Sequence, residues 1–368
     1  MKNARPSICI IGAGLSGLVS ARELAKAGFA VQVVEQHSTA GGMLSSMRLG
    51  HEYIEPIPHH IRKSDKNLLS LLKDLGLYEG VSWFDSYWYG RAGRKKLGYP
   101  ENGFHSLISA LTQEIADSGG LIHYGYTAMD ICKMADPVQT NLSCHRFSIS
   151  CVLADCTTVS IESDYVLFTA ACRNFAHITH NLPIPTDYRD ALMDITYRAN
   201  ICLMLLTKSQ LSGCYSRPVS ISAPFQRIIE HTNLVRDRKY GGHVLYLSGS
   251  FSTTSPMWTQ SDDTVYKDFL RHLQLISPAI GRNEIITWRL TRTRYATPLS
   301  LPNSSLLSPL PGLYLTTLET NAVPDQIESE YRMDTCIYAA KNVAREILVC
   351  ENDDATDSVC SSIIEHIC

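Results

Sequence analysis

Six residues near the start of the chain, Gly12-Ala13-Gly14-Leu15-Ser16-Gly17, constrain the fold more than any other feature. They follow the apolar run Ser7–Ile11 and open a helix-like stretch that ends at Gly28, a natural left-handed stop. A valine-rich run then closes on Glu35. The order is that of a βαβ unit with G-x-G-x-x-G at its first turn. Gly12 permits the tight strand-to-helix turn, Gly14 leaves room for a pyrophosphate, and Gly17 lets the helix approach the strand. Leu15 and Ser16 begin the helix, whose N-terminus offers unpaired N–H groups and a partial positive charge to phosphates. Glu35 stands 18 residues after Gly17, where a carboxylate accepts from ribose hydroxyls. Dinucleotide binding follows from this arrangement.

The chain has 368 residues, enough for two structural units at roughly 100–200 residues each. Strand-length apolar runs recur at 121–131, 146–153, 158–163 and 164–171, then at 199–207, 242–251 and 312–318. Helical patterns span 63–76, 262–276 and 332–348, with a turn plus helix over 99–120, whereas 81–99 reads as aromatic and irregular. The strand near 313–318 and its helix are expected to return beside the first βαβ unit.

Thirty-three basic residues against 36 acidic ones give a net charge of −3. That balance carries no general attraction to nucleic acid or to anionic membranes. The 12 cysteines are scattered, without a C-x-x-C pair or a Cys/His zinc spacing, so a reduced, cytoplasmic protein with no metal is expected. Lys2 and Arg5 before an apolar stretch imitate a signal peptide, but Gly12, Gly14 and Gly17 interrupt it. No run reaches the ~18–20 apolar residues of a membrane helix.

A second glycine pair, Gly41-Gly42, precedes Met43, Leu44 and Ser46, bringing backbone toward the same pyrophosphate. This pattern of GAGLSG, an acid and GG-x-x-x-S resembles the FAD-binding start of the amine oxidase, protoporphyrinogen oxidase and phytoene desaturase superfamily. Met43 stands where that superfamily often has arginine. The resemblance continues through Tyr99–Phe104, through 123–131 with Ala128 on the adenine side, and through 164–170 with Thr169. It also takes in 291–299 and the last flavin strand from Gly312, where Thr317 and Leu318 replace a glycine and an aspartate. His59-His60-Ile61 and Ile229–Asn233 (IEHTN) resemble a protoporphyrinogen-oxidase-like branch, some of whose members occur near sugar or natural-product genes.

The resemblance implies an α/β protein: a Rossmann-like FAD-binding domain of the GR2 type with an inserted α+β substrate domain. The expected division is 1–60, 100–175 and 285–348 for the discontinuous FAD-binding domain, 61–99 and 176–284 for the substrate domain, and 349–368 for a tail. It also implies an FAD-dependent oxidoreductase, holding FAD non-covalently and taking hydride from a small-molecule substrate. With a single dinucleotide fingerprint, an oxidase or dehydrogenase is expected rather than a two-cofactor monooxygenase. The alternative is a non-redox isomerase resembling UDP-galactopyranose mutase; a third is a flavin-binding protein without catalysis.

The candidate catalytic residues are His59, His60, Glu230, His231 and Arg292. Each has a structural alternative: buried and backbone-bonded histidines, a structural Glu230–His231 pair, a surface ion pair for Arg292 beside Tyr295. The basic cluster Arg94-Lys95-Lys96 reads as a solvated face or an anion site, and the aromatics of 83–89 as core or pocket wall.

Overall fold

The computed structural model describes residues 5–90, 93–134, 146–219, 222–235, 238–299, 308–317 and 333–365. The chain divides into two compact units. The first comprises Met1–Gly42, Ala110–Ile195 and Leu301–Cys368, the second Met43–Ser109 and Thr196–Ser300.

The first unit is built on a five-stranded parallel sheet. Its strand order is Leu313–Leu315, Tyr165–Phe168, β1 (Ser7–Ile11), β2 (Ala30–Glu35) and Leu121–Tyr124. Every residue of β1 is buried, as a central parallel strand covered on both faces requires, and this explains its unbroken apolar run. Between β1 and β2 runs α1 (Leu15–Lys26), which packs on the C-terminal helix Met333–Glu365 through small residues; Ser20 Oγ donates to the Ala340 carbonyl at 3.3 Å. The expected tail from 349 instead continues that helix to Glu365. A three-stranded antiparallel sheet follows the parallel one, pairing Phe147–Val152 with Thr127–Lys133 and Thr158–Ser163.

The second unit carries a five-stranded antiparallel sheet in the order Ser216–Pro218, Arg227–Glu230, His243–Ser252, Tyr197–Thr207 and Ile285–Pro298. An inner strand, Tyr197–Thr207, is apolar on both sides because both are covered. Ile201, Leu203 and Leu205 meet Val265, Phe269 and Leu273 of the helix Asp262–Ile276. Cys202 and Met204 face Ile54, Leu97 and Tyr246. That helix starts on Ser261, whose hydroxyl accepts from Thr264 N–H, with Asp262 and Asp263 in the first turn.

Four stretches sort differently from the sequence expectation, one of them residues 100–109, which fall in the second unit. Residues 43–60 join the second unit because Leu49 and Ile54 pack in its core. Ile285–Pro298 joins it by pairing along most of Tyr197–Thr207. Residues 176–195 stay in the first unit, where Arg189 donates to the Thr179 and Leu182 carbonyls and Arg173 to that of Ile195. The stretch read as irregular, 81–99, is a regular hairpin of Val81–Tyr87 and Arg94–Pro100. Among the described residues no helix is long and apolar enough to cross a membrane.

Candidate cofactor and active site

The glycine turn has the shape that its sequence implies. Gly12 sits at φ +108°, and a Cβ on Gly17 would lie 1.9 Å from the Gly12 carbonyl oxygen, so α1 rests directly on the turn. Gly14 is the N-cap of α1, in extended conformation, with no side chain capping the helix and no acid in its first turn. A Cβ added there would meet nothing within 4 Å. Open space beside an uncapped helix N-terminus is a cradle for a diphosphate.

The second glycine pair closes on this cradle. Gly41 N–H donates to the Ala13 carbonyl at 2.8 Å, and Gly41 bridges Gly14 in parallel. Gly41 and Gly42 have φ of +115° and +57°, and a Cβ on Gly42 would stand 3.2 Å from Gly14 Cα. Met43 and Leu44 continue as a single 3-10 turn, Gly42–Leu44, with Leu44 buried.

Glu35 is buried at the end of β2, its carboxylate accepting from Ala13 N–H at 2.8 Å and His37 N–H at 2.9 Å. It therefore braces the turn, and the carboxylate's remaining lone pairs suit a ribose. The segment leading to Ala128 is brought alongside, since Tyr126 N–H donates to the Glu35 carbonyl at 2.9 Å. Thr169 takes a supporting place: its hydroxyl donates toward the Ile11 and Gly12 carbonyls at 3.0 and 3.2 Å. Thr317 is buried, 3.3 Å from the Cys172 thiol, whereas Leu318 lies outside the described residues.

In the second unit the candidates divide. His59 is buried, and its Nε2–H donates to the Met43 carbonyl at 3.0 Å, leaving Nδ1 as the imidazole's basic nitrogen. Burial lowers its pKa to about 4, so the ring is neutral at pH 7. His60 is half-buried and lies 3.1 Å from the Tyr215 hydroxyl through Nδ1. His231 is buried against Tyr99, Tyr240 and Tyr246, with Nε2 3.3 Å from the Tyr240 hydroxyl and Nδ1 without a hydrogen-bond partner. Its pKa falls to about 3, first through burial and then through the charge of nearby His60.

Glu230 and Arg292 are held by structural partners. The Glu230 carboxylate accepts from Leu211 N–H at 3.1 Å, from Ser212 N–H at 2.9 Å and from the Ser212 hydroxyl. It thus ties a loop to the sheet. Arg292 pairs with Asp262 and donates to the Gln260 carbonyl at 2.9 Å, the surface ion pair that was its structural alternative. Tyr295 packs on Tyr197, with ring centroids 5.0 Å apart.

Sequence reasoning passed over Glu55 and took Tyr99 only as part of a resembling segment, with no role for its hydroxyl. Glu55 is only 1% exposed and gathers Tyr99 hydroxyl at 2.7 Å, Phe104 N–H at 2.8 Å and Ser46 hydroxyl at 3.3 Å. Tyr246 hydroxyl donates to its carbonyl at 2.6 Å. Burial raises the carboxyl pKa against these bonds. The signal was an acid inside the apolar run Tyr53-Ile54-Glu55-Pro56-Ile57, where an unpartnered charge is too costly. Among the described residues no His, Cys, Asp and Glu group is arranged for a metal ion.

Sheet, turn and second glycine pair together define a Rossmann-fold flavoprotein with a separate antiparallel unit. The chain belongs to the flavin-containing amine oxidoreductase family, whose model matches residues 77–348; that of an NAD(P)-binding Rossmann-like domain matches residues 10–75. A crystal structure of a putative protoporphyrinogen oxidase from Exiguobacterium sp. 255-15 superposes with a TM-score of 0.74 at 13% identity, over 94% of this chain and 99% of that one. An oxidoreductase from Methanosarcina mazei gives 0.64 at 16% identity, over 92% and 100%. A putrescine oxidase bound to putrescine gives 0.66 at 13% identity, over 94% and 99%. At such low identities the superpositions show a shared fold alone. A curated relative, the Arabidopsis thaliana flavin-containing monooxygenase FMO GS-OX-like 8, is 55% identical over 42 residues. The match spans 11% of this chain and 9% of that protein's length.

Proposed function

We propose that the protein is an FAD-dependent oxidase or dehydrogenase of a small molecule, holding its flavin without a covalent bond. The observation that carries this reading is the cradle at Gly14, open above an uncapped helix and bridged by Gly41. Gly14 would admit the diphosphate by lacking a side chain, Gly12, Gly17, Gly41 and Gly42 would shape the turns around it, and Glu35 would hold the ribose. The bound flavin supplies the hydride acceptor, and the chain's own residues supply binding, orientation and proton handling.

Of the two adjacent histidines, His60 is the one we assign to proton transfer. His59 is buried, with its pKa depressed to about 4, a weak base at neutral pH. His60 is oriented by Tyr215 and keeps part of its surface accessible. His59 instead fixes the chain leaving the glycine pair through the Met43 carbonyl. Glu230 and Arg292 hold the fold rather than the substrate in this reading, since their charged groups are engaged by Ser212 and Asp262.

The test is anaerobic mixing of the yellow holoprotein with a panel of candidate substrates while following flavin absorbance. The panel takes amines such as putrescine and porphyrinogens, suggested by the structural neighbours, with sugar and natural-product intermediates. Bleaching without nicotinamide, reversed by oxygen or an added acceptor, supports the reading. Turnover only after prior reduction, with the flavin ending reduced, identifies the non-redox isomerase instead. Release of NAD alone on denaturation refutes the FAD assignment.

A further inference from the structure

The hairpin Val81–Tyr87/Arg94–Pro100 has two unlike faces. Its register places Phe84 opposite Leu97, and both pack in the core of the second unit. Trp83, Asp85 and Tyr87, with Arg94 and Lys96 across from them, therefore share the opposite, outward face. Along it each ring carries a cation. Lys63 Nζ lies 3.4 Å from the Trp83 centroid, and Arg94 Cζ 4.9 Å from that of Tyr87.

Past the strand end Arg217 lies 4.9 Å from the Tyr89 ring, whereas Trp88, with Lys95 at 4.7 Å and Arg227 at 6.0 Å, packs on the core side. Tyr87 and Tyr89 are still 40% and 56% exposed. Asp85 is the one acid in the two strands, and it pairs with Arg94 at 3.7 Å. A chain of net charge −3 thus concentrates positive charge on one aromatic strip.

We propose that this strip docks the protein on an anionic phospholipid surface. Phenol and indole rings have an apolar body and a polar edge, which suits the headgroup level. Lysine and arginine beside them neutralise lipid phosphates. The strip is the outer face of a hairpin, matched to an extended surface. Single-stranded nucleic acid fits less well, because cations already cover the ring faces on which bases would stack.

The experiment is sedimentation of the flavin-loaded protein with phosphatidylcholine vesicles, with and without about one-third phosphatidylglycerol, at ~0.05 M and ~0.5 M salt. Binding is expected to the anionic vesicles at low salt and to be lost at high salt, with none to phosphatidylcholine alone. Arg94→Gln with Lys96→Gln should weaken the partition about 25-fold, at about five-fold per charge. Tyr87→Ser with Tyr89→Ser should weaken it as well, both pairs keeping the parent's melting temperature and flavin content. No sedimentation with anionic vesicles at low salt would overturn the proposal, as would equal binding by the glutamine pair. Binding that polyglutamate competes away and that ignores the tyrosine pair would overturn it in favour of a soluble acidic partner. The readout needs no turnover, so it stands apart from the reaction proposed above.

Discussion

At the residue scale, two glycines in one turn make opposite demands. Gly14 has space above it and an extended backbone, so Gly14→Val should fold with the melting temperature of the flavin-stripped parent and purify colourless. Gly17→Val should not fold, because its Cβ would sit 1.9 Å from the Gly12 carbonyl oxygen. Thermal melts and flavin absorbance separate the two outcomes. The buried histidines give a pH signature. His59 and His231 titrate near 4 and 3 when folded, against an ordinary value of 6.5, so the unfolded chain binds more protons between. Stability from each is complete above about pH 6.5 and falls as pH drops toward the folded value. In urea titrations, the stability difference between parent and His59→Asn should change by ~1.4 kcal/mol per pH unit around pH 5, the parent losing more as acid is added. A difference that is flat with pH would mean that His59 is not held neutral.

At the element scale, the polar contacts of Glu55 fasten three segments. The carboxylate joins residues 46–55 to Tyr99 in the hairpin and to Phe104 at the start of the helix His105–Asp117. Removing it strands a buried hydroxyl and a buried N–H, at ~1–3 kcal/mol each. Glu55→Ala should therefore lower stability by about 3–5 kcal/mol in chemical unfolding, and Tyr99→Phe by about 1–2 kcal/mol. Glu230 fastens a loop in the same manner, through Leu211 and Ser212. Glu230→Ala should cost ~2–3 kcal/mol of stability while leaving the rate of flavin reduction per bound flavin unchanged. A large fall in that rate at full flavin occupancy would return Glu230 to the chemistry.

At the scale of the whole molecule, the first unit is assembled from widely separated stretches of sequence. The strand Leu313–Leu315 pairs with Tyr165–Phe168, which pairs with β1. Ala340 and Ala344, 0% and 1% exposed, belong to the helix that packs on α1. Small residues at that contact hold the helices close, so Ala340→Leu should overpack it and cost ~1–3 kcal/mol, read as a lower melting temperature. A chain ending at residue 308 would leave Tyr165–Phe168 without its outer neighbour and α1 without its covering helix. It should be recovered insoluble or without flavin, even though the whole glycine motif is present.

The sequence by itself determined the nucleotide-binding turn and its sheet. Gly12, Gly14, Gly17 and Glu35 act within one βαβ unit, where local backbone geometry and hydrophobic period leave few choices. The same holds for most strands and helices. What tertiary structure decided was the fate of polar groups far from one another in sequence. The pairings of Glu230 with Ser212, of Arg292 with Asp262 and of Glu55 with Tyr99 join residues separated by 18, 30 and 44 positions. No periodicity links such partners; burial does, because a charge removed from water must find a donor wherever the folded chain supplies one.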